Sequence, residues 1–254
     1  MNKLAITLLL GSAYFSPLQS QNAPDTVYHS YKLIISLILK DQAAQLAPLV
    51  SYPLARTNPL PNINTQQQFI ENFPLLFDKV FKERLKLYDD SCVFYRNGVY
   101  GLVGGAFNGD IWISEDGKIL AINSESAEEF HLRQKLIQDI KSRMYPSIRD
   151  WTRNVLVAKS KNVLIRIDET GKGLRYVSWT KGQSISEKPD LILLNGVGEP
   201  QGSAGGWLYT FRSGKWTYVV EDNEMCAGSA QCGLFLRLIR GESEFSYTKL
   251  ESIK

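Results

Sequence analysis

Histidines and cysteines are scarce in this chain, which restricts metal and triad chemistry. There are two histidines, His29 and His131, far apart in sequence and each inside a stretch with helical apolar spacing. A metal centre needs three or four ligands converging at close spacing, so the sequence implies no metal and no cofactor. A serine hydrolase of the strand-turn-helix type needs G-x-S-x-G, which does not occur. Gly202-Ser203-Ala204-Gly205-Gly206 reads instead as a loop between strands. Asn195-Gly-Val-Gly-Glu-Pro-Gln-Gly202 carries three glycines, but Pro200 and the wrong spacing make it a loop rather than a phosphate cradle. Asp89-Asp90 could share a proton, since like charges raise one carboxyl; at the end of a helical stretch they read as a solvated pair. Asp110 sits in a turn before Ile111-Trp112, a place that disfavours the inward aim of a base. His131, beside Glu128 and Glu129, reads as a surface residue. No catalytic residue is assigned, and the balance is against an enzyme.

The cysteines are three. Cys226 and Cys232 enclose Ala-Gly-Ser-Ala-Gln, a short loop that glycine and small residues let close. In an oxidising compartment the pair is expected to form a disulfide, worth about 2 kcal/mol in the chain-entropy picture. Cys92, in the apolar run Ser-Cys-Val-Phe-Tyr, reads as a buried, inert thiol.

Aromatic and arginine side chains remain as binding candidates, since Trp, Tyr and Arg dominate binding hot spots. Arg175, Val177 and Trp179 share one face of a strand, as do Trp207, Tyr209 and Phe211. The ligand-binding candidates are Tyr52, Arg56, Trp112, Arg175, Trp179 and Trp207.

The elements that must position these residues fall into two groups. Residues 25–148 mix helix and strand. Val27, Tyr31, Ile34, Ile35 and Ile38 repeat at helical spacing over Thr26–Lys40, and a short helix spans Asp41–Ala47. Thr65 with Gln68 makes a capping box. It opens a helix whose stripe is Phe69, Phe73, Leu76, Phe77, Val80 and Phe81, with Pro74 kinking rather than ending it. Asn97-Gly98 between apolar runs predicts a hairpin. Two further strands follow, the first at Ile111–Ile113. Ser126 with Glu129 predicts a helix over Ala127–Met144, with Phe130, Leu136, Ile137, Ile140 and Met144 inward and Glu129 and Arg133 on its wet side. Residues 151–254 read as seven or eight short strands separated by glycine turns, an antiparallel barrel or sandwich. The boundary is expected near Tyr145–Arg153.

The helix pair, the Ser-Tyr-Pro-Leu segment, the aromatic helix and the hairpins N-G-V-Y-G-L-V-G-G and N-G-D-I-W-I resemble the NTF2-like (SnoaL-like) superfamily over about residues 26–144. The resemblance implies an α+β fold, an N-terminal cone of helices on a bent antiparallel sheet, with a pocket at its mouth that Tyr52, Arg56 and Trp112 would line. Enzymes of that superfamily place an Asp or a His–Asp pair in the cone, and no histidine falls on the strands here. IRIDETGKGLRYVSW, SEKPDLILLNG and GGWLYTFRSGKWTYVV resemble secreted proteins of Gram-negative bacteria, a likeness that implies no activity. The β-rich half resembles small periplasmic lysozyme inhibitors, without a matching inhibitory loop.

Composition narrows the function classes. The chain has 254 residues, 44% hydrophobic and 22% charged, with a net charge of +3. That charge is too small for a nucleic-acid partner held by phosphate neutralisation. Lys3 followed by the apolar run Leu4–Leu10 and a polar exit reads as a signal peptide over residues 1–20, too short to span a bilayer. The expectation is a periplasmic or secreted protein with no transmembrane segment. It would bind an envelope protein or a small ligand. An inhibitor or immunity protein against a cell-wall enzyme, and a lyase or isomerase in the cone, are the alternatives. Oligomeric state is open.

Overall fold

The structure, a computed structural model, describes residues 23–102, 109–180, 182–202, 205–224 and 232–253. The expected signal peptide therefore lies outside the described residues, as does Cys226 of the expected disulfide. Contacts divide the chain into two units. One holds the described residues up to Leu54 together with Ile63–Ala127; the other holds Ala55–Asn62 and the chain from Glu128 onward. The division thus falls between Ala127 and Glu128, at the first residue of a helix.

In the first unit, helix α1 (Asp25–Leu39) buries Val27, Tyr31, Ile34, Leu37 and Ile38, one face of a 3.6-residue repeat. Helix α2 (Ala43–Leu46) runs into a 3-10 turn, Ala47–Leu49, at Pro48. Helix α3 (Gln66–Leu76) is capped by Thr65, whose Oγ1 accepts from the Gln68 amide at 3.2 Å. Gln68 reaches back past Thr65 to accept from the Asn64 amide at 2.7 Å. Helix α3 runs through Pro74 and stops at Leu76, and Asp78 accepts from the Phe81 amide at 2.7 Å to cap a new helix, α4 (Lys79–Leu85). The capping carboxylate satisfies an amide left open in the first turn of the new helix, so two helices replace one. The break shifts the phase, leaving Val80 69% exposed while Phe69, Phe73, Leu76, Phe77 and Phe81 stay buried. Phe73 and Phe77 have ring centroids 4.9 Å apart, and Phe77 and Phe81 5.6 Å. Such pairs add roughly 0.5–1.5 kcal/mol each beyond area burial.

Strands β1 (Val93–Arg96), β2 (Val99–Leu102), β3 (Ile111–Ile113) and β4 (Ile119–Ile122) form an antiparallel sheet in chain order. Asn97 (φ 50°) and Gly98 (φ 84°) make the first hairpin turn, both in the left-handed region that this turn demands. The Tyr31 hydroxyl donates to the Tyr100 carbonyl at 2.6 Å and the Ile111 carbonyl at 3.1 Å, tying α1 to β2 and β3. Burial pushes that phenol well above its ordinary pKa. The expected fold class is corrected here. The helices do not form a cone on a bent sheet. Strands of three or four residues are too short to wrap a pocket, and one continuous apolar cluster from Val27 to Ile122 fills the space beneath them.

In the second unit, helix α5 (Ala127–Arg143) precedes eight strands. These are β5 (Arg153–Lys159), β6 (Val163–Thr170), β7 (Gly173–Thr180), β8 (Leu191–Pro200), β9 (Trp207–Ser213), β10 (Trp216–Asn223), β11 (Gly233–Arg240) and β12 (Ser243–Ser252). They close into an antiparallel barrel, where a sandwich was the other expectation. The last strand meets the first through Glu251↔Lys159 and Ser252↔Ala158. Closure removes the unpaired edges that a sandwich would keep. Ile165, Ile167, Tyr176, Phe211, Val220, Leu236 and Leu250 fill the interior, as an eight-stranded barrel allows. Phe211 comes so near Gly196 that a Cβ there would lie 2.1 Å from its ring.

The opposite face of β7 is buried too. Val177 and Trp179 lie under Ile137 and Met144, with Ile148 and Trp151. The wet side expected for α5 is also corrected. Glu129 is 2% exposed, because Arg56 holds it (Nε to Oε1, 2.7 Å), whereas Phe130 is 43% exposed. A buried carboxylate needs such a partner; an aromatic ring on the surface does not.

Candidate functional site

The alternation of β5 and β6 decides which side chains leave the barrel interior. Ala158, Ile165 and Ile167 point in, so Val157, Lys159, Leu164 and Arg166 line the outer wall. Between this wall and α5 runs a groove of about 630 Å³. Leu136 and Ile140 of α5 face Val157 and Leu164 across it. Asn58 and Pro59 border it, as do residues 182–185 and Ile253. The Ile253 amide donates to the Val157 carbonyl at 2.8 Å, so Ile253 is held as part of the wall. Among the described residues four cations also line the groove, Arg143, Lys159, Lys161 and Arg166, and no carboxylate does.

Arg166 links the groove to a buried ionic network. Its Nε donates to Asp168 Oδ2 at 2.8 Å. Its Nη2 lies 2.8 Å from Asp168 Oδ1 but outside hydrogen-bonding geometry, an ion pair without a hydrogen bond. Arg175 Nη2 donates to the same carboxylate at 3.3 Å and to the Ile148 carbonyl at 2.7 Å; its Nη1 donates to Asp150 at 2.6 Å. Asp168 is fully buried, and both guanidinium groups are 4% exposed. Asn154, on the groove wall, donates to Asp168 at 3.0 Å and accepts from Asn58 at 2.9 Å. The Trp151 ring lies 4.8 Å from the Arg166 guanidinium and 4.7 Å from the Lys141 ammonium. The buried part of the network thus sets two guanidinium groups against one carboxylate. Asp150, the second acid, is open to solvent and screened.

The residues singled out from sequence are scattered. Tyr52, in the first unit, donates to the Ala47 carbonyl at 3.0 Å and meets Phe69 edge-on. Trp112, also there, lies over Gly101 and Gly109, where a Cβ would strike its ring at 2.8 and 3.0 Å. Arg56 is committed to Glu129. Trp179 is fully buried, its Nε1 donating to the Glu187 carbonyl at 2.9 Å. Trp207 is 43% exposed and stacks on Tyr209 at 6.1 Å. Only Arg175 belongs to the network beside the groove. Cys226, the expected partner of Cys232, lies outside the described residues, and Cys92 is half-buried.

Asp110, whose turn position is expected to disfavour an inward aim, is buried. It is 4% exposed and receives Arg84 (3.0 and 3.1 Å) and the Tyr88 hydroxyl. Burial first, then the Asp110 hydrogen bond and charge, push the Tyr88 phenol up to about 12. The ring of Phe81 lies 4.9 Å below Arg84. Among the described residues no group of three or more His, Cys, Asp or Glu could hold a metal ion, and no helix is long and apolar enough to cross a membrane. Sequence reading missed Arg166, Asp168 and the groove. The available signal was Ile165-Arg-Ile-Asp168, a strict alternation that puts two opposite charges on one strand face. Comparison of the chain with known families, curated proteins and solved structures finds no match.

Proposed function

We propose that this chain is a binding protein, periplasmic or secreted, whose second unit holds a small ligand in the groove between α5 and the outer wall of β5 and β6. The supporting observation is the groove itself. Its volume of about 630 Å³ is that of a small-molecule site. Its lining combines aliphatic side chains with a few polar groups, the composition that buries a ligand's body while fixing its orientation. The barrel interior offers no rival site, being filled by its own side chains. The location outside the cytoplasm rests on the sequence of residues 1–20 alone.

The test is ligand-observed NMR of the full chain against a fragment library, repeated with Val157→Trp. That substitution puts an indole into the groove from a half-buried outward position. Binding of one or more fragments, lost in Val157→Trp while circular dichroism is unchanged, is the expected result. No fragment bound, or binding indifferent to Val157→Trp, overturns the reading.

A further inference from the structure

The charge around the groove narrows the ligand class, an inference that rests on the binding reading above. Arg143, Lys159, Lys161 and Arg166 stand on its walls, with no carboxylate among the described lining residues. The lining also carries the aliphatic side chains of Leu136, Ile140, Val157 and Leu164. We infer that the groove takes a small amphipathic anion, free in solution, with an apolar body and one carboxylate, sulfate or phosphate group.

Three features carry this. First, three of the four cations, Arg143, Lys159 and Lys161, make no ion pair among the described residues, while Arg166 pairs with Asp168. Lys159 and Lys161 also border a second hollow with Lys249, where Glu251 is the one acid. Glu187 lies near the opposite rim, its carboxylate accepting from the Ser184 amide at 2.7 Å. Second, Arg166 is built into the wall and cannot swing away. Asp168 and the Trp151 ring clamp it, and its Nη2 still lacks a hydrogen-bond acceptor. An unmade hydrogen bond on a buried charged group is costly, and such groups need an explanation. Third, in the network behind the wall, where Arg175 takes its second acid, Asp150, from the surface, Arg175 Nε is also without an acceptor. An anion balances the three cations that make no ion pair. A neutral ligand leaves them as they are, and a cation adds to their charge.

The experiment uses three probes of equal chain length, octanoate, octan-1-ol and octylammonium, titrated calorimetrically into the full chain at low salt. Octanoate is expected to bind at least tenfold more tightly than octan-1-ol, with octylammonium weakest and the octanoate affinity falling as salt is added. The double variant Lys159→Glu/Lys161→Glu reverses two charges at exposed positions. It is expected to weaken octanoate at least fivefold, leaving octan-1-ol affinity and thermal stability unchanged. Equal affinity for octanoate and octan-1-ol, preference for octylammonium, or an octanoate affinity indifferent to the double variant overturns the anion assignment while the binding reading stands. If none of the three binds and the fragment library also fails, the binding reading itself is overturned. Vesicles of phosphatidylglycerol that capture the chain when octanoate does not bind would place the anion in a membrane, and overturn the assignment of a free ligand.

Discussion

Each unit buries an ionic cluster, and the two are balanced differently. In the first unit Asp110 meets one arginine, Arg84, and one phenol, Tyr88. One acid faces one cation, and Arg84 keeps a third of its side chain in water. In the second unit Asp168 meets two guanidinium groups that water hardly reaches, with Lys141 close by over Trp151. The first cluster closes on itself and pins the loop before β3 to α4. The second takes its other acid, Asp150, from the surface and stands beside a groove lined by Arg143, Lys159 and Lys161. Buried charge is expensive unless paired, so both clusters are explained by folding. The three groove cations outside the second cluster have no such account.

The largest effect that would test this contrast is removal of the shared acid. Asp168→Asn leaves two buried guanidinium groups without their carboxylate and is expected to destabilise the second unit by roughly 3–5 kcal/mol. Urea unfolding followed by tryptophan fluorescence measures it, and a barrel as stable as the parent would remove the premise that Asp168 neutralises both arginines. Asp110→Asn should cost less, about 1–3 kcal/mol, because Arg84 regains water. It also has a titration readout. The Tyr88 phenol sits above its ordinary value in the fold, so its contribution is present below that value and is lost as pH rises through about 12. In Asp110→Asn the phenolate absorbance of Tyr88 should develop at lower pH; an unmoved midpoint would mean burial alone sets it.

Lys141→Met comes next. It removes the ammonium that donates to the Trp151 carbonyl at 2.7 Å and lies over its ring, for an expected loss of about 1 kcal/mol. No loss in thermal melts would show that Arg166 alone holds Trp151. The smallest effect has the opposite sign. Burial, and then Glu224, push the Asp222 carboxyl above the usual carboxylate range. A raised folded value means that this group favours the fold at low pH, and that the advantage fades as pH rises through the folded value. Asp222→Asn should therefore stabilise the second unit slightly at neutral pH and flatten its stability between the ordinary carboxylate range and neutrality. A melting temperature that falls at neutral pH would contradict this.

Much of the local structure was legible in the residues. The phenylalanine spacing marked the buried face of α3 and α4, and Asn97-Gly98 marked the first hairpin. Legibility failed where a partner distant in sequence decided the outcome. Asp78 could not be seen to restart a helix after Pro74, since Asp in a helical stripe reads as a wet position. Glu129 looked solvated because nothing near it in sequence reveals Arg56. Asp110 looked like a turn residue until Arg84 and Tyr88 closed over it. The cone failed for a related reason. A list of helices and hairpins constrains element type, but whether a sheet curves around a pocket depends on strand length and on which side chains fill the space.

The sequence by itself determined element types, the run of strands after residue 151, and the scarcity of histidines and cysteines, because these follow from local periodicity and residue chemistry. Only the tertiary structure decided that β12 closes on β5, that the interior is filled, and that α5 leaves a cation-lined groove beside Arg166. Those features depend on contacts between residues far apart in the chain, where the gain is shared apolar burial and charge balance rather than any local preference.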